Sequence, residues 1–232
     1  MLFDLKGKRR RTVQATYLLL AILMGAGLVL FGIGSSVNGG LGDLFSGGGG
    51  QNEADKTIQT KIDAAEKKLQ TDPGNVPALA QIVRGHYQLA TTDANERSEF
   101  TAAAKPELLK TVAGWKRYEK AAEKPDTSLG RLVIQAYDGL GRLTPDKQDA
   151  QPYWAGAADA AELIAQTKPT AQNYVVLVQY ATLAGQSRKA DLAGKEAIRR
   201  APKSQKTQAK QAVEQAKSAA TTQAPQSQGA QG

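Results

Sequence analysis

The chain reads as all-α: a transmembrane helix near the N-terminus, then a short solenoid of helix pairs. Three observations predict this. Residues 12–38 contain no charged side chain and come directly after the basic cluster "KGKRRR" at 6–11. From Lys56 to Ala219 apolar residues recur at intervals of three and four, and the alternating runs that strands need are scarce. Proline-containing breakers cut that region at 71–75 (TDPGN), 124–126 (KPD), 143–146 (LTPD), 167–170 (TKPT) and 201–203 (APK), leaving helices of ordinary length joined by short turns.

The first segment, 1–12, is the basic N-terminus, and 13–37 is the membrane helix. About 20 apolar residues in a helix cross a hydrocarbon core of roughly 30 Å. The positive cluster before the run places residues 1–12 in the cytoplasm and everything after the span outside. A secretory signal peptide has a shorter apolar region and an A-x-A-like cleavage site; "SSVNGG" at 35–40 is a poor one. An uncleaved signal anchor is therefore expected. Ala21 and Gly25 form a small-xxx-small pair, which is ordinary in membrane helices.

Residues 38–55 read as a glycine-rich linker, flexible by composition. Its glycines are not a phosphate loop, because no GK[ST] comes after them and no βαβ pattern surrounds them. The helical repeat domain is expected over 56–204, a charged capping helix over 205–219 and a disordered tail over 220–232. The complete absence of cysteine removes disulfides, thiolate nucleophiles and cysteine-based zinc sites.

Three segments align within the domain: "LAQIVRGHYQLA" from Leu79, "LGRLVIQAYDGLG" from Leu129 and "YVVLVQYATLAG" from Tyr174. Each opens on a large apolar residue. Another stands three positions on (Ile82, Leu132, Leu177), and a valine comes next (Val83, Val133, Val178). After the third segment, "LAGQSRKADLAGKEAIRRAP" at 183–202 sets Ala190, Gly194 and Ala197 on one helical stripe and ends at Pro202. Small residues in such a stripe mark a helix lying close against its neighbour.

This spacing resembles the tetratricopeptide repeat, a unit of about 34 residues made of two helices. In the unit from about Ala171 to Ser204, Tyr174, Leu177, Val178 and Ala181 fall on the first helix of the motif. Ala190, Gly194, Ala197 and Pro202 fall on the second. Val178 stands where the family has glycine, Ala181 where it has tyrosine, and Gly194 where it has an aromatic, so looser packing is expected there. Gly114, Tyr118 and Ala121 match the second helix of the first repeat, after a long connection containing Pro106. In the second repeat, the register of Trp154 and the alanines of "WAGAADAAELIA" stays open. The segment "IDAAEKKLQTDPGN" resembles the second half of an earlier repeat.

The resemblance implies that the first helices of the pairs line a groove for an extended peptide or a partner helix. Carried across, the groove positions are Gln81, Arg84, Tyr87 and Gln88 in the first repeat. In the second they are Arg131, Ile134, Tyr137 and Asp138; in the third, Val176, Gln179 and Leu183. Only Arg84 and Arg131 approximate the family's two-carboxylate clamp. His86, the single histidine, has no second histidine or cysteine to act with, and the carboxylates stand beside Lys or Arg as on solvated helix faces. No enzyme, cofactor or metal site is expected.

The formal charge of +8 divides between "KGKRRR" and the lysine-rich "IRRAPKSQKTQAKQ", which has no interleaved aromatics; contact of the latter with anionic lipid or envelope polymer is expected, and nucleic acid is not an expected partner. A protein or peptide partner is expected, with the bilayer held through the N-terminal helix. The layout resembles single-pass bacterial repeat proteins that accompany the Sec translocon, with the repeat domain extracytoplasmic. "LVLFGIGSSVNGG" is similar to the anchors of membrane-tethered periplasmic foldases, but no isomerase module comes after it. Two roles are open: an adaptor with a fixed partner, or a holdase for unfolded clients.

Overall fold

The computed structural model describes residues 51–223. The expected basic N-terminus and membrane helix, most of the linker, and the tail from 224 lie outside the described residues. Among the described residues no helix is long and apolar enough to cross a membrane.

The described residues are all-α. Eight α-helices run in order: α1 (Gln51–Thr71), α2 (Val76–Thr92), α3 (Lys105–Ala121), α4 (Thr127–Arg142), α5 (Lys147–Thr167), α6 (Ala171–Leu183), α7 (Ser187–Arg200) and α8 (Lys206–Gln223). Four of the proline turns end in a residue that caps the next helix. Asn75 accepts from the Ala78 N–H, Asp126 from Ser128, Asp146 from Gln148 and Asp149, and Thr170 from Asn173. Each cap satisfies an orphan donor and contributes about 1 kcal/mol.

Three boundaries differ from expectation. α1 starts at Gln51 and not at 56, because no breaker comes after the glycines at 47–50 and Glu53 stabilises the first turn. α8 continues through 220–223, because nothing disfavours helix before Pro225. Pro106 is not in the connection: it occupies the first turn of α3, where its missing N–H costs nothing. The connection itself, residues 93–101, closes on Asn95. The side chain of Asn95 accepts from the Arg97 and Glu99 N–H groups, beside an isolated bridge between Ala94 and Phe100.

Helices α2/α3, α4/α5 and α6/α7 form three stacked hairpins, each packed on the next; α1 covers one end and α8 packs on both α6 and α7. Val83, Val133 and Val178, aligned in the sequence, are each 0% exposed and occupy the same place in their hairpins. Small residues allow each crossing. A Cβ on Gly114 of α3 would stand 3.1 Å from Ile82 and 3.2 Å from Val83 of α2. In the second hairpin the open register is set by two reciprocal contacts: Trp154 of α5 lies on Gly141 of α4, and Tyr137 of α4 lies on Gly156 of α5. In the third, Ala190 and Ala197 are buried as expected. The room beside Gly194 is not loose, however. Val213 of α8 fills it, 3.0 Å from where a Cβ would be.

Candidate partner-binding face

The first helices α2, α4 and α6 are joined side by side by a ladder of polar side chains. The Arg84 guanidinium of α2 donates to Asp126, the cap of α4, at 3.0 Å. Tyr87 donates its hydroxyl proton to Gln135 of α4. One step along, Arg131 of α4 donates to Asn173 of α6 at 3.3 Å, and the Tyr180 hydroxyl of α6 donates to Asp138 at 3.3 Å. Arg142 also donates to Asp138, at 2.6 Å. Three of these rungs join residues 42 apart in sequence, each linking one first helix to the next.

Burial tunes the ladder. It pushes the Tyr87 phenol up to about 12. Burial also raises Tyr180, helped by the charge of Asp138 and the hydrogen bond to it. For Asp126, desolvation works upward, but hydrogen bonds from the Ser128 side chain and backbone and the Arg84 charge outweigh it and hold the carboxyl below its ordinary value. These hydroxyls stay protonated and this carboxyl stays ionised near neutrality. The ladder therefore keeps donors and acceptors in fixed roles.

Of the sequence-derived groove positions, Arg131 is exposed, and Gln81, Arg84, Tyr87, Gln88, Asp138, Val176 and Gln179 are half-buried. Three are not available. Ile134, Tyr137 and Leu183 are 7%, 5% and 5% exposed. Tyr137 turns into the α4/α5 crossing, where burial, with the charges of Glu119 and Asp159, lifts its phenol to about 12. For the two on α4 the cause is a rotation of that helix by about one residue relative to the expected register; Leu183 is the last residue of α6. The outer stripe of α4 is Arg131, Gln135, Asp138 and Arg142, at i, i+4, i+7 and i+11. That all-polar stripe is readable in the sequence; the expected register takes Arg131 and Asp138 from it and misses Gln135 and Arg142, along with Asp126, Asn173 and Tyr180.

Away from this face, a surface cavity of about 670 Å³ lies between α5, α6 and α7, lined by Tyr174, Leu177, Leu192 and Ala193 with Gln186 and Arg188 at its edge. His86 is buried in the α2/α3 crossing, its Nδ1 2.6 Å from the Glu107 carboxylate, which also accepts from Lys110 at 2.7 Å. That is a packing role, linking the two helices.

No protein-family model matches the chain, and no curated protein or solved structure is significantly similar to it.

Proposed function

We propose that this chain is a bilayer-anchored, tetratricopeptide-like scaffold whose repeat domain, outside the cytoplasm, holds a protein or peptide partner along the α2–α4–α6 face. The observation that supports this reading most is the ladder. It fixes three first helices edge to edge and leaves amide and guanidinium ends (Gln81, Gln88, Arg131, Gln179) at its surface. Polar ends spread along this face suit an extended backbone, which needs donors and acceptors along its length. In an interface a minority of side chains carries most of the binding energy, each costing more than about 1 kcal/mol when truncated.

The holdase reading needs exposed apolar surface to hold unfolded clients. Among the described residues only Leu109 and Leu192 are large, apolar and exposed, at 40% and 56%. The adaptor role with a defined partner is therefore preferred. Co-purification of the full chain from its native membrane tests it. A short, reproducible set of partners, weakened when Gln88, Arg131 and Gln179 are all changed to Ala, is expected. A broad set of unfolded proteins, unaffected by those changes, would favour the holdase.

A further inference from the structure

Charge is distributed very unevenly along the domain. Residues 53–194 carry eighteen basic and eighteen acidic side chains, whereas 195–223 carry seven basic and two acidic ones. The excess also gathers in space. α8 buries Ala209, Val213, Ala216 and Ala220, and Lys206, Lys210 and Lys217 run along one edge of that buried stripe. Lys217 donates to Asp191 of α7 at 2.7 Å, so this edge borders α7. Lys195 stands one turn beyond Asp191 on the same edge of α7. After the Lys217 hydrogen bond and charge, the charge of Lys195 adds to the pull that holds the Asp191 carboxyl below its ordinary value.

Little neutralises this seam. Arg199 and Arg200 share the single carboxylate of Glu196. Among the described residues Lys195, Lys203, Lys206 and Lys210 make no ion pair. Residues 195–223 contain no aromatic side chain on which a base would stack and, among the described residues, no exposed large apolar side chain; Leu192, 56% exposed, precedes them on α7. Charge without stacking or insertion matches a smooth anionic surface. A polyanion read base by base would need more.

We propose that the α7–α8 end of the domain is a second membrane contact, holding the anionic headgroups of the bilayer through Lys195, Lys203, Lys206 and Lys210. This rests on the reading that residues 13–37 span that bilayer. The thirteen residues 38–50 then keep the start of α1 within about 45 Å of it, at roughly 3.3–3.6 Å per residue. Each lysine near an anionic leaflet adds attraction that salt screens. The contact lays the domain along the membrane and makes its orientation depend on lipid composition.

The absence of cysteine allows a direct test on the full chain. A fluorophore on Thr207→Cys, an exposed position of α8, is compared with one on Ala64→Cys of α1. The chains are reconstituted into vesicles with headgroup quencher, either pure phosphatidylcholine or about one-third phosphatidylglycerol. Severalfold stronger quenching at 207 in the anionic vesicles, little change at 64, and loss of the difference at about 0.5 M salt are expected. Lys203→Gln, Lys206→Gln and Lys210→Gln together are expected to abolish it, and the three Lys→Arg changes to keep it. Equal quenching in both lipids, or quenching that survives the glutamine triple, overturns the proposal. A duplex oligonucleotide that displaces the label from the vesicles at equal charge overturns the lipid assignment. Flotation with vesicles at high salt reads the membrane span separately. If flotation is lost there, the span reading fails, while quenching at 207 at low salt still decides the lysine surface.

Discussion

The second and third hairpins close the same kind of crossing with different material. In α4/α5 each helix supplies an aromatic for the other's glycine: Trp154 meets Gly141, and Tyr137 meets Gly156. In α6/α7 the crossing is made with small or medium side chains: Ala190 and Ala197 are buried, Val178 stands 3.8 Å from where a Cβ on Gly194 would be, and the volume left beside Gly194 is taken by Val213 of the next helix. The crossing of the second hairpin is thus filled from its own two helices, with Trp154 also stacked on Tyr180 of α6. The third is complete only when α8 is in place, so α8 is a packing component of the last repeat as well as its polar cover. A solenoid needs such an end, because each pair leaves an apolar stripe for its neighbour to bury.

The largest expected effect tests the second hairpin. Trp154 is 3% exposed, and Trp154→Ala removes its contact with Gly141. A loss of about 3–5 kcal/mol is expected in urea unfolding of the full chain in detergent. A loss below about 1 kcal/mol would mean that the two hairpins are not packed differently.

A double-mutant cycle sharpens the contrast at the other hairpin. Gly194→Val overpacks a filled site and is expected to cost about 1–3 kcal/mol. Val213→Ala removes two buried methyl groups and is expected to cost about 1.6 kcal/mol. Because one side chain would occupy the space of the other, the pair together is expected to cost less than the sum. Strict additivity, measured by the same unfolding curves, would show that α8 does not complete the third hairpin.

The smallest effect concerns the first hairpin, which alone has an acid–histidine link. Desolvation pushes the Glu107 carboxyl up, but hydrogen bonds from Lys110 and His86 and their charges outweigh it, and the group sits below its ordinary value of 4.5. A depressed carboxyl stabilises the fold above its unfolded value and stops doing so as pH falls through the folded one. Unfolding midpoints taken from pH 6 down to pH 3 are expected to fall further for wild type than for Glu107→Gln. Parallel falls would remove Glu107 from the acid sensitivity.

Much of this architecture is legible in the residues themselves. The proline turns mark the helix boundaries because Asn75, Asp126, Asp146 and Thr170 cap the helices after them. The valines at 83, 133 and 178 mark the core register because period and chemistry agree there. What escapes depends on partners distant in sequence. Gly194 gives no sign that its neighbour is Val213, and Tyr137 looks like any exposed tyrosine until Gly156 opposes it. The binding face is misregistered in α4 when a family spacing is preferred to the polar stripe of Arg131, Gln135, Asp138 and Arg142. Ile134 and Tyr137 are thereby assigned to a groove although their side chains are buried, as is that of Leu183 at the end of α6.

The face itself is tested most directly by photocrosslinking in the native membrane. A crosslinking residue is placed at Gln88, Gln135 or Gln179 on the first helices, or at Lys116, an exposed position on α3. The same discrete partner is expected from 88, 135 and 179, with none from 116. Crosslinks from 116 to that partner, or none from the three first-helix positions, would contradict recognition along the α2–α4–α6 face.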